Sequence, residues 1–163
     1  MSEDLHGMHK LVDTGAVPGI WYTKPYAPPP PSIQPIGFLK PESHPKAWGE
    51  ETWWVNNDKY CAKSLRFSAG KGFSDHYHWL KEETWICVSG ELLLEYYDLA
   101  DASKLTRTVK PGDVIHIPPG NPHRLRAITD ALIWEVSSKH FDSDSYRIGK
   151  GDSQKPKESG WKS

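Results

Sequence analysis

From residue 49 onward, apolar and polar positions alternate in short runs broken by Gly, Pro and Asn, the signature of an all-β chain. The runs predict strands near residues 51 to 55, 60 to 68, 73 to 79, 84 to 89, 91 to 98, 104 to 109, 113 to 117, 123 to 129 and 131 to 137, with no helix among them. Short strands at such spacing predict a small antiparallel barrel of jelly-roll type. Along YCAKSLRFSA, Cys61, Lys63, Leu65 and Phe67 share one face and Ala62, Ser64, Arg66 and Ser68 the other, because successive side chains on a strand point to opposite sides. If the first face is interior, Lys63 is a buried or cavity-facing cation that wants a carboxylate or a substrate oxygen; the alternative is a lysine that snorkels to the surface. On HRLRAI, His123, Leu125 and Ala127 share the inner face while Arg124 and Arg126 point outward. On ALIWEVS, Leu132, Trp134 and Val136 alternate with Ile133, Glu135 and Ser137.

The flanks break this pattern. Residues 1 to 45 read as an arm: the segment from Pro25 to Pro41, with Pro28 to Pro31 consecutive, cannot donate ladder hydrogen bonds and is expected to be extended or polyproline-like. Its apolar residues Ile20, Trp21, Tyr22, Ile33, Ile36, Phe38 and Leu39 favour a strap packed on the barrel or on a neighbouring subunit. After Ser138 the chain turns polar, with Phe141 and Tyr146 as anchors, and residues 148 to 163 have the low hydrophobicity of a disordered tail. The barrel domain is therefore expected over residues 46 to 147.

Composition narrows the function classes. A chain of 163 residues suits one domain able to bury a core. A net charge of −1 supplies neither a basic field for nucleic acid nor an acidic tail, so the expected partner is a small molecule. Eight Trp and seven Tyr are many for this length and can line a ligand cavity as well as fill a core. No signal pattern and no bilayer-length apolar run appear, so the expectation is a soluble cytoplasmic protein without a membrane partner. Cys61 and Cys87 fall within predicted strands and read as buried free thiols. Trp53, Trp54, Tyr96 and Tyr97, with the N-terminal arm, suggest a homodimer.

The chemistry concentrates in two stretches, GKGFSDHYHWLKEETWICVSG from Gly70 and GDVIHIPPGNPH from Gly112. His76 and His78 are two apart and project together from an extended strand. Glu83 arrives after a bend, and His123 comes from a second hairpin. These residues, His76, His78, Glu83 and His123, are the candidate ligands of one divalent metal ion, an arrangement that leaves positions open for water or substrate. Lys81 is placed beside Glu82, to pair with it or to meet a phosphate at the barrel mouth. Arg124 either reaches a ligand there or is a solvated charge. Glu135 and Lys63 are the candidate acid or base groups.

The spacing G-x5-HxH-x4-E-x6-G followed by G-x5-P-x-G-x2-H resembles the two motifs of the cupin superfamily, departing at Ala127, where cupins often carry Asn. The stretches KAWGEETWWVNNDKYCAKSL, HWLKEETWICVSGELLLEY, PGDVIHIPPGNPHRLRAI and ALIWEVS further resemble the cupin domain of type II phosphomannose isomerases and small stand-alone relatives. Thr84 stands where those isomerases have His, His76 where they usually have Gln, and their terminal D-x-Y-G-R signature is replaced around Ser145 to Ile148. The resemblance implies a cupin double-stranded β-helix holding Mn, Zn, Fe, Co or Ni, and aldose–ketose isomerisation of a sugar or sugar phosphate. The proton would pass to Glu135, Lys63 or a metal-bound hydroxide. Two alternatives remain: an iron-dependent dioxygenase on the same ligands, and a non-catalytic cupin that binds a sugar or another small molecule.

Overall fold

The computed structural model describes residues 36–154 and two short strands nearer the N-terminus, β1 (Met8–Lys10) and β2 (Trp21–Thr23). The chain forms two compact units, residues 1–38 and 39–163. In the first, β1 pairs with β2 in antiparallel register. The consecutive prolines Pro28 to Pro31 and the tail beyond residue 154 lie outside the described residues.

The second unit is two facing antiparallel sheets. One carries β10 (Val114–Ile117), β7 (Glu83–Ser89), β12 (Ala131–Ser137), β5 (Cys61–Phe67), β4 (Gly49–Asn56) and β3 (Glu42–Lys46) in that order. The other carries β13 (Tyr146–Arg147), β6 (His76–Tyr77), β11 (His123–Ala127), β8 (Leu92–Tyr97) and β9 (Lys104–Val109). Alternation decides which side chains meet between them: Leu65, Phe67, Trp85, Cys87, Leu92, Leu125 and Ile133 are buried in one core with Trp48. The strand faces read from the sequence are the observed ones, with Cys61, Lys63, Leu65 and Phe67 buried on β5 and His123, Leu125 and Ala127 buried on β11. Cys61 and Cys87 are buried free thiols. No helix among the described residues is long and apolar enough to cross a membrane.

Three local features differ from the expectation. The six-stranded sheet begins at Glu42, ahead of residue 46, because an edge strand tolerates Pro45 where a central one would not. The strand expected over 73 to 79 shrinks to His76–Tyr77, since the following amides of Trp79, Leu80 and Lys81 bond to the Asp144 carboxylate and not to a sheet neighbour. Residues 148–152 are docked, not free: Ile148 and Gly149 donate to the Asp75 carbonyl, and Gly72 N–H donates to the Asp152 carboxylate at 2.7 Å. Ile36, Phe38 and Leu39 are exposed.

Candidate metal centre

Three histidines reach one point from separate turns of the barrel. His76 opens β6, His78 lies just past the end of that strand, and His123 opens β11, where it is the register partner of His76. A ring nitrogen from each lies within 4.8 Å of the others. Gly120, at φ 79°, makes the turn before His123, and its N–H donates to the His78 carbonyl at 2.7 Å, joining the two ligand-bearing loops.

The imidazoles are held in one tautomer. Nδ1 of His76 meets the Ser74 carbonyl at 2.7 Å, that of His78 the Asp144 carbonyl at 2.6 Å, and that of His123 the Asn121 carbonyl at 2.8 Å. A carbonyl only accepts, so each Nδ1 carries the proton and each Nε2 keeps its lone pair. Burial lowers the pKa of all three, to about 3 for His76, about 2 for His78 and about 4 for His123. Charged neighbours add to this, so the rings are neutral near pH 7. Neutral rings with the outer nitrogen already engaged are what a metal ligand requires.

Glu83, the first residue of β7, places Oε2 3.3 Å from His123 Nε2 and 3.8 Å from His78 Nε2. Glu83 Oε2 and His123 Nε2 are buried with no hydrogen-bond partner among the described residues. Two lone-pair atoms facing each other without a proton between them are costly, and a cation bound by both removes the cost. The donor set therefore fits a divalent ion, with His76, His78 and His123 as its nitrogen ligands and Glu83 beside them.

Around this cluster lies a buried ionic network. Lys81 Nζ bonds Glu83 Oε1 at 2.5 Å and Glu135 Oε1 at 3.2 Å, and Ser137 Oγ donates to the same Glu135 oxygen. Burial and the neighbouring Glu135 push the Glu83 carboxyl up, against the pull of Lys81. Burial also opposes ionisation of Glu135, but Lys81 and Lys63 outweigh it and hold that carboxyl below its ordinary range. Burial disfavours the Lys81 ammonium as well, and there Glu135 and Glu83 prevail and raise its pKa. Lys63 sits 3.9 Å from Glu51 Oε2 with its ammonium over the Trp53 ring, so the carboxylate it was expected to need is Glu51.

Glu51, Lys63, Lys81, Glu83 and Glu135 line a cavity of about 170 Å³ whose apolar wall is Trp48, Leu65, Phe73 and Trp85. Lys81 and Arg124, the candidate substrate-binding residues, are both held in ion pairs. Lys81 is not at the rim beside Glu82 but 4% exposed between two carboxylates, because the Asp144 clasp turns its segment inward. Arg124 alternates with His123 on β11, so it faces away from the cavity and lies 3.6 Å from Glu95 on β8. Glu135 and Lys63 do line the cavity, each engaged in ion pairs.

Sequence reasoning did not find Asp144, Arg147, or the pair of His140 and Asp142. Arg147, His140 and Asp142 line the cavity. All four lie in the stretch after Ser138 that reads as a polar turn, and the signals there were their acidic and basic character and, for Asp144 and Arg147, their place where the D-x-Y-G-R signature is altered. Asp144 is 4% exposed, with its carboxylate accepting from Trp79, Leu80 and Lys81.

A family model described as the cupin domain matches residues 64–138, from β5 through β12, and the barrel of this chain has the cupin fold. Over 87 residues the chain is 32% identical to a mannose-1-phosphate guanylyltransferase of Sinorhizobium fredii, covering 52% of this chain and 16% of that protein. The capsular polysaccharide assembling protein CapF of Staphylococcus aureus superposes with a TM-score of 0.61 at 20% identity, over 69% of this chain and 32% of CapF. Bacillus subtilis oxalate decarboxylase superposes with a TM-score of 0.60 at 16% identity, over 66% of this chain and 30% of the enzyme. At those identities the structural likeness is one of fold. The chain thus spans a minor part of the length of each of these proteins.

Proposed function

We propose that this cupin binds one divalent metal ion through His76, His78, Glu83 and His123 and interconverts the aldose and ketose forms of a sugar or sugar phosphate. The observation that carries the reading is the set of imidazoles with proton-free Nε2 atoms next to the buried, unpartnered Glu83 Oε2. A divalent ion held there would polarise two adjacent sugar oxygens and acidify the carbon between them.

The chain's own residues prepare the rest. Lys81 occupies Glu83 Oε1 and leaves Oε2 turned to the histidines. The Lys63–Glu51 and Lys81–Glu135 pairs keep the field around a substrate fixed, and Phe73 and Trp85 keep bulk water from the histidines. Trp85 Nε1, buried and without a partner among the described residues, offers a donor to a substrate oxygen. Arg147 lines the same cavity and makes no ion pair among the described residues, which suits the anionic group of a phosphorylated sugar. The sugar phosphate in the name of the Sinorhizobium relative agrees with that substrate class, and the Mn(II) centres of oxalate decarboxylase are a precedent for manganese in this fold.

The test begins with elemental mass spectrometry of wild type and His78→Ala, followed by interconversion of mannose 6-phosphate and fructose 6-phosphate. Near-stoichiometric metal in wild type only, with turnover lost on stripping and restored by manganese or zinc, is the expected result. Undiminished turnover by the stripped protein would overturn the mechanism, and turnover that requires dioxygen would replace it with iron-dependent oxygenation. We also read the protein as cytoplasmic and as a homodimer, the dimer supported by the stacked, exposed Trp54 and Trp134 on the outer face of the larger sheet. A monomer by light scattering would contradict that.

A further inference from the structure

His140 follows β12 at the start of the polar segment, and it lines the same cavity as His76 and His78. Asn56 on β4 fixes its main chain from both sides, accepting from the His140 N–H at 3.0 Å and donating to its carbonyl at 3.1 Å. Trp53 packs edge-on against the ring, centroids 4.8 Å apart. Asp142 Oδ1 lies 3.2 Å from Nε2, and because an ionised carboxylate only accepts, Nε2 carries the proton. Nδ1 is then a bare lone pair, buried and with no partner among the described residues. A carboxylate that orients an imidazole and leaves its far nitrogen free is the arrangement of a general base.

The two groups expected to move protons are in a different state. Glu135 is bonded to Lys81 and Ser137, and Lys63 sits against Glu51 and Trp53. A carboxylate already accepting two hydrogen bonds, and an ammonium, are both poor proton acceptors.

We propose that His140, oriented by Asp142, is the general base of the metal-dependent isomerisation, taking the proton from the substrate carbon through Nδ1. This rests on the isomerase reading above. The C2–H bond of the aldose breaks, its proton goes to Nδ1, and its electron pair forms the C1=C2 bond of an enediolate as the carbonyl π pair moves onto O1. The imidazolium then returns the proton to C1, the O2 proton passes to O1, and C2 becomes the carbonyl of the ketose. Nothing is oxidised or reduced overall.

The charged groups that act on His140 are Lys63 on β5, Lys81 ahead of β7, Glu135 on β12 and Asp142 on its own segment. Burial, with Lys63 and Lys81 adding to it, keeps the ring below its ordinary pKa, and Asp142 and Glu135 act against this. The free base therefore persists below pH 6.5, and the acid limb of kcat/KM falls there.

Zinc-loaded wild type, His140→Gln and Asp142→Asn would be incubated with mannose 6-phosphate in deuterium oxide, and deuterium at C2 followed by proton NMR. We expect His140→Gln to slow exchange by about 100-fold or more, with metal content and KM unchanged. Asp142→Asn should slow it less and move the acid limb of kcat/KM to lower pH, a shift that a structural role would not produce. Equal exchange by wild type and His140→Gln overturns the assignment. No exchange by wild type overturns the isomerase reading on which it rests. Independently of any substrate, nitrogen-15 spectra at pH 7 should show Nε2 protonated and Nδ1 bare, and the opposite tautomer also overturns the assignment.

Discussion

His78 donates its Nδ1–H to the main-chain carbonyl of Asp144 at 2.6 Å, across 66 positions of sequence. The carboxylate of the same Asp144 accepts from the amides of Trp79, Leu80 and Lys81, the bend that carries the chain from His78 to Glu83. One buried aspartate thus orients a histidine of the cluster and shapes the loop to the glutamate.

Replacing it should disturb both. Asp144→Ala is expected to weaken divalent metal binding by about 10- to 100-fold and to lower stability by about 3 kcal/mol, because charge-assisted bonds to buried amides are lost. Asn, which keeps one accepting oxygen, should fall between. Isothermal titration with manganese and urea unfolding measure the two effects; unchanged metal affinity in Asp144→Ala would remove Asp144 from the site.

Lys81 stands between Glu83 and Glu135, and Lys81→Met would leave two buried carboxylates without their cation. A loss of roughly 3–5 kcal/mol is expected in the metal-free protein. Adding Glu135→Gln should recover part of it, since one of the stranded charges disappears. Urea unfolding of the single and double variants gives the coupling, and strictly additive losses would contradict a shared network.

Stability of the metal-free protein should fall as pH drops below about 6.5. His76, His78 and His123 have folded-state pKa values below that of the unfolded chain, so the unfolded state binds protons first and is favoured. Each contributes up to about 1.4 kcal/mol per pH unit in that window. Glu83, with a raised pKa, takes up a proton in the folded state and acts in the opposite sense, one carboxyl against three imidazoles. Urea midpoints at pH 7.5 and 5.5 check the sign, and a midpoint that rises on acidification would show that the rings are not buried as neutral bases.

Arg147 lines the cavity and Arg124 does not. Arg147→Ala should raise KM for a phosphorylated sugar by about 10-fold or more with a smaller effect on the unphosphorylated sugar, whereas Arg124→Ala should change neither. Steady-state kinetics on mannose 6-phosphate and mannose distinguish them; equal effects of the two variants would refute this placement.

Much of the barrel was legible because strand alternation is a property of neighbouring residues. The inward face of β5 follows from Cys61, Lys63, Leu65 and Phe67, and that of β11 from His123, Leu125 and Ala127. The histidine cluster was legible for a related reason: His76 and His78 share a strand-spaced motif, and Gly120 marks the turn that delivers His123. The direction of Lys81 was not legible. Its neighbour Glu82 looks like its partner in sequence, yet its partners are Glu83, on the next strand, and Glu135, 54 positions away.

By itself, then, the sequence determined the strand pattern, the inward faces and the four candidate ligands, since each depends on side-chain spacing over a few residues. Only the tertiary structure decided that Lys81 turns in, that Asp144 clasps the ligand loop, and that His140 and Asp142 join the cavity. Those outcomes depend on carboxylates and amides finding partners 54 to 84 positions away once the sheets close, where burial makes each unpaired group costly.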